Sequence, residues 1–171
     1  MPDDSEDRVV GGLRELREPL HDGLRKIQVA AGAVSDAEPR MAMAAVETAW
    51  HYLETTFLPA CAAEQATVFV AVEGILGTSG ALDPLRKQHD SLRTMTADLG
   101  KVVVAMRTAN MLADYARYLL PLLHGLYAAI RIHIESEDDT LLPLLDAHLS
   151  QAQADALARR FDRSALGGVH E

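Results

Sequence analysis

The chain carries one helical pattern twice, and that repetition limits what it can fold into. His21-Asp22-Gly23-Leu24-Arg25 returns as His89-Asp90-Ser91-Leu92-Arg93, and an acidic segment follows each copy downstream. When Cys61, Glu64 and Thr67 are set against Ile134, Glu137 and Thr140, the two acidic segments align residue for residue. Such a chain reads as two consecutive helical hairpins, each supplying an imidazole from its first helix and a carboxylate from its second. The halves differ at one telling place: His133 stands four residues before Glu137, whereas Ala60 stands four before Glu64.

The rest of the sequence fits a helical protein. Hydrophobic residues make up 49% of 171 residues, aromatics only 5%, and β-branched runs are short, a composition that favours helix over strand. A chain of this length can bury roughly two-thirds of its unfolded surface in one domain. The expected elements are a helix from Leu13 to Gly32, with Gly32 as its stop, a second from Met41 to Leu76 bent at Pro59, and a third from Asp83-Pro84 to about Arg107. A fourth runs from near Thr108 to Leu149, bent at Pro121 with Pro143 a second candidate, and Ser150 caps a short fifth through Phe161. The expected fold is all-α, an up-down-up-down four-helix bundle with a short fifth C-terminal helix. Residues 1–12 read as a loose tail, 13–161 as the bundle domain and 162–171 as a frayed end.

Charge narrows the partners. A net charge of −9 works against phosphate backbones and anionic membrane surfaces, so neither nucleic acid nor membrane is expected. No apolar run reads as long enough to span a bilayer, and the N-terminus is acidic where a secretory signal would be basic and then apolar. With Cys61 the single cysteine, the expected compartment is a reducing cytoplasm.

Helical geometry then locates the chemistry. Residues at i and i+4 lie only about 40° apart round a helix, so His133 and Glu137 share a face with Leu126, Ile130 and Leu141. The same register groups Leu53, Phe57, Ala60, Glu64 and Val68. Both acids are thus expected to look into an apolar interior, where a lone carboxylate needs a partner charge, a proton or a metal. Three imidazoles, His21, His89 and His133, are available to the two acids, which points to a metal, and mixed nitrogen and oxygen donors suit iron, manganese or zinc better than calcium or magnesium. A competing resolution is metal-free: Arg25 and Arg93 could fork onto the acids, although Asp22 and Asp90 are nearer and solvent is the plainer destination for both arginines. His51 and His124 are expected to face away from the site.

The set His21, Pro59 with Glu64, Gln88-His89, and His133 with Glu137 and Pro143 resembles the hemerythrin-like HHE cation-binding domain, over roughly residues 13 to 160. That resemblance implies a carboxylate-bridged non-haem di-iron centre that binds or reacts with dioxygen, peroxide or nitric oxide. By position, His89 and His133 would hold one iron, Glu64 and Glu137 would bridge, and His21 would serve the second. The remaining family imidazole falls on Ala60. Its loss implies either a mononuclear centre or a second ion completed by water or substrate, with an oxidant such as O2 or peroxide entering beside Phe57, Ala60 and Ile130. Cys61 lies about 100° from the vacant position and could substitute only if Pro59 rotates the helix locally. Two other readings stay open: a non-catalytic iron or redox sensor, and a metal-free interaction bundle.

Overall fold

The computed structural model describes residues 17–109 and 112–167. The proposed tail at 1–12, and the first residues of the expected first helix, lie outside them. Among the described residues every regular element is helical: α1 Glu18–Asp36, α2 Pro39–Tyr52, a π turn Leu53–Phe57, α3 Leu58–Ala66, α4 Val68–Leu76, α5 Asp83–Ala109, α6 Leu112–His148 and α7 Gln151–Gly167. Helix α1 packs against α2 and α6, α5 packs against α6, and α7 closes over α3. One continuous apolar core, from Leu20 and Ile27 through Phe57, Leu92, Leu99 and Ile130 to Phe161, joins all of them.

Period explains most of these faces. In α5 the buried side chains are Leu85, His89, Leu92, Thr96, Leu99, Val103 and Met106, alternating steps of four and three residues as an inward stripe must. Helix α6 buries Leu119, Leu123, Leu126, Ile130, His133, Glu137, Leu141 and Leu145 in the same manner. Pro121 and Pro143 both lie inside α6, on its exposed side. There the carbonyls that lose their amide partners can turn to water, so the helix runs on through them.

Several boundaries differ from the sequence expectation. Gly32 does not end α1, which continues to Asp36; Gly32 is exposed, and one exposed glycine costs a helix only about 1 kcal/mol. The stop comes from Pro39, which opens α2 and forces the residue before it out of helical geometry. The bend foreseen at Pro59 is a π turn just ahead of it, and the column breaks again at Thr67. There the Thr67 hydroxyl donates to the Ala63 carbonyl at 2.6 Å, and its backbone leaves the helical region. Gly77 closes α4 in the left-handed conformation, φ 66°, which glycine adopts without penalty. The last helix outruns its expected end at Phe161 by reaching Gly167, so 162–167 are helical rather than frayed. At its start Gln153 reaches back to accept from the Ser150 amide at 2.9 Å, as the N3 residue of a capping box does.

The column Pro39–Leu76 also corrects one reading of length. Its best 18-residue window has mean hydropathy 1.3, enough by length and composition to cross a membrane. Half of that window is buried inside the bundle, as in any helix that builds a core.

Close contact between α2 and α5 depends on Gly100. A β-carbon there would stand 2.7 Å from Nε1 of Trp50, so the indole lies directly on the α5 backbone.

Candidate metal centre

Three helices bring four donor residues together. Helix α5 supplies His89 and α6 supplies His133, and their Nε2 atoms lie 2.9 Å apart, edge to face. Both rings are fully buried. On α6, Glu137 stands one turn after His133, with Oε1 3.1 Å from its Nε2. From α3, Glu64 brings Oε2 to 3.6 Å from His89 and 3.9 Å from His133. One donor atom from each of Glu64, His89, His133 and Glu137 lies within 4.8 Å of all the others.

Neighbours fix the rings. The carboxamide oxygen of Gln88 accepts from Nδ1 of His133 at 3.0 Å, leaving the Nε2 lone pair aimed at the centre. The Gln65 amide lies 2.8 Å from Nδ1 of His89, and Phe69 stacks on that ring with centroids 5.3 Å apart. The break at Thr67 sets Gln65 on α3 and Phe69 on α4 against the same imidazole. Arg86 covers the outer side of Phe69 and forks onto Glu73 at 2.6 and 3.0 Å. With the Gln65 amide nitrogen toward the ring, His89 keeps its proton on Nε2 and donates it to His133; with the oxygen toward the ring, both imidazoles offer lone pairs inward.

The donor set fits an ion. Oε2 of Glu64 and Oε1 of Glu137 are buried without a hydrogen-bond partner, a state that costs free energy unless something positive meets them. Two donors at right angles about an ion with bonds of roughly 2.1 Å lie about 3 Å apart, close to the 2.9 and 3.1 Å edges found here. Burial, then the nearness of His89, pulls the His133 ring down to about 4, so at neutral pH it is the uncharged imidazole that binds metals. Burial and then the charge of Glu64 push the Glu137 carboxyl well up, against the pull of Arg17. For Glu64, burial also pushes up, but the approach of His89 and the charge of His133 outweigh it and hold the carboxyl below its usual range.

Arg17 is the residue that sequence reasoning missed. It is 6% exposed, and its Nη2 donates to Oε2 of Glu137 at 2.9 Å and to the Ile134 carbonyl at 3.1 Å, while Nη1 pairs with Asp138. Its carbonyl accepts the first backbone bond of α1, from Leu20 at 2.9 Å, and Pro19 follows in the first helical turn. The Tyr52 hydroxyl then ties Pro19 to the end of α2 at 2.9 Å. The signal was present: Arg17 falls four residues after Leu13 and three before Leu20, on the apolar stripe of the first helix.

Other candidates stand elsewhere. His21 is half-buried beside Arg17, Glu18, Asp138 and Leu142, and it is not in either cluster of possible ligands found among the described residues. The buried stripe of α1 runs through Leu20, Gly23, Ile27, Ala30 and Ala31; His21 stands 100° round from Leu20, just outside the stripe on the side of Arg17. Arg25 and Arg93 pair with Asp22 and Asp90 on the surface and do not reach the acids. Phe57, Ala60 and Ile130 are packed core residues. The small cavity at the carboxylates lies one turn further along, about 20 Å³ of water-sized space walled by Arg17, Val68, Leu141, Leu142, Leu145 and Phe161. None of the three lines it.

Cys61 is buried beside Ala60, and one donor atom from each of Cys61, His89 and His133 lies within 4.8 Å of the other two. Burial, then the charge of Glu64, pushes its thiol well above the usual range.

Comparison with known proteins agrees with this architecture. The chain matches the hemerythrin HHE cation binding domain over residues 13–145 and belongs to that family. No curated protein and no solved structure is matched by it.

Proposed function

We propose that this protein is a non-haem iron protein that holds one ion at Glu64, His89, His133 and Glu137 and reacts with a small oxidant, O2 or peroxide. The observation that carries the reading is the pair of unpartnered carboxylate oxygens facing two buried imidazole Nε2 atoms. Arg17 favours one ion over two. Its guanidinium already neutralises Oε2 of Glu137, the oxygen turned away from His133, so a second cation there would meet a fixed positive charge. His21, the resemblance's ligand for that second ion, is off the stripe. Iron is favoured over manganese and zinc by the family and by the redox role; the donor set alone admits all three.

Bound iron would supply electrons to an oxidant at an open coordination position. The chain's own residues prepare for that. Gln65 and Gln88 orient the imidazoles, as outer partners of metal ligands do. Arg17 holds Glu137 so that Oε1 points inward. Phe161 and the leucines of α6 restrict the adjoining cavity to about one water or a diatomic molecule. Four helical columns alternating up and down, with α7 as lid, would frame the site. Net charge and the single cysteine favour a cytoplasmic protein with small-molecule partners rather than nucleic acid or membrane.

Arg17 also gives the metal-free reading its best support, since it satisfies half of Glu137. It leaves Oε1 of Glu137 and Oε2 of Glu64 with no partner except a proton between the two, whereas an ion would meet both oxygens and both imidazoles, which is why we prefer it. The test is anaerobic loading with ferrous iron followed by O2 or peroxide. Oxidant should be consumed faster than by His133→Ala protein carrying the same total iron. Stoichiometric iron with no consumption would leave a sensor.

A further inference from the structure

The two imidazoles are shared by two donor sets. One contains the carboxylates of Glu64 and Glu137; the other contains the sulfur of Cys61. Cys61 stands three residues before Glu64 on α3 and Ala60 four before it, so the two flank the carboxylate on the helix's inward face, and they are buried at 1% and 5% exposure. Two donors on opposite sides of an ion, one nitrogen and one sulfur, are about 4.4 Å apart. The sulfur and one nitrogen from each ring all lie within 4.8 Å of one another, comparable with that separation.

A buried cysteine is ordinarily inert core. Here a second observation points to a ligand: the unpartnered oxygens of Glu64 and Glu137, each more than nine-tenths buried, aim at the same two rings. We propose that Cys61 is a metal ligand, its thiolate joining His89 and His133 on the ion in the place left by Ala60, with a carboxylate of the acidic pair completing the coordination. The inference rests on the metal reading above. On binding, the S–H bond breaks, a metal–sulfur bond forms and the proton leaves to solvent; no electron changes hands. A set of two nitrogens, one sulfur and carboxylate selects borderline ions such as zinc or ferrous iron over the harder manganese.

Cobalt(II) tests this, because a thiolate bound to it gives a strong near-ultraviolet charge-transfer band that imidazole and carboxylate do not. The chelator-treated full chain would be titrated with cobalt(II) alone, beside Cys61→Ala and Cys61→Ser. We expect the band to rise to one equivalent in the unaltered chain and to be absent from both variants, which should still bind about 10-fold or more weakly. Binding without the band in the unaltered chain would overturn the thiolate and leave the metal reading standing. No binding at all would overturn both. Cys61→Ala leaves only a small void beside Ala60, so the comparison survives if the serine variant fails to fold.

Discussion

Replacing Arg17 with Met separates the role of its charge from that of its bulk. The guanidinium is buried with the Glu137 carboxylate, 2.9 Å from Oε2, and that side chain is 1% exposed. Removing one partner of a buried ion pair costs about 3–5 kcal/mol, because the survivor is left uncompensated. Glu137 has an escape, since its carboxyl is already pushed up and can take a proton, so the lower end, about 3 kcal/mol, is expected without metal. For a chain of 171 residues each kcal/mol moves the melting point by about 2–4 °C, giving a fall of about 6–12 °C. A bound ion would compensate Glu137 through Oε1, so saturating metal should recover about half of that loss. Thermal melts followed by circular dichroism, with chelator and with metal, measure both quantities. Arg25→Met, which breaks only an exposed pair with Asp22, serves as control and should change stability by no more than about 0.5 kcal/mol. A chelated Arg17→Met protein melting within about 2 °C of the unaltered chain would refute the reasoning.

Other outcomes follow from the same geometry. His89→Ala and His133→Ala should each abolish stoichiometric metal binding, whereas His21→Ala and His124→Ala should leave it intact, as metal analysis after desalting would show. Gln88→Ala frees the Nδ1 side of His133, and calorimetric titration should find metal affinity lowered about 10–100-fold with stoichiometry unchanged. Gly100→Ala forces Trp50 off the α5 backbone and should cost about 1–3 kcal/mol in urea unfolding. Glu73 is held at about 2 by Arg86, a folded pKa below the usual 4.5. Its stabilising contribution is therefore present above about pH 4.5 and lost as pH falls toward 2, and Glu73→Gln should flatten that part of the stability profile.

Periodicity made most of the framework legible. The inward faces around Leu53, Phe57 and Glu64, and around Ile130, His133 and Glu137, follow from helical spacing alone, because a buried stripe needs apolar residues every three or four positions. Four features escaped, for physical reasons that can be named. Arg17 sits on an apolar stripe, but an arginine at a helix start ordinarily reads as solvated, and only the buried acid across the bundle gives it a destination. His21 repeats the pattern around His89 in four letters of five, yet α1 turns a different face inward, and helix rotation is a tertiary property that a local match cannot carry. The π turn is also tertiary in origin. Pro59 signals that something must give, but a bend and a π turn both satisfy it. The cavity wall depends on Phe161 folding back from α7, a contact no local pattern encodes.

The central claim is an ion between two acids and two imidazoles. Its most direct test is the metal content of the chain after ferrous loading and desalting, beside that of His133→Ala. The account expects one iron per chain, lost in the variant; no retained iron, or equal iron in both, would contradict it.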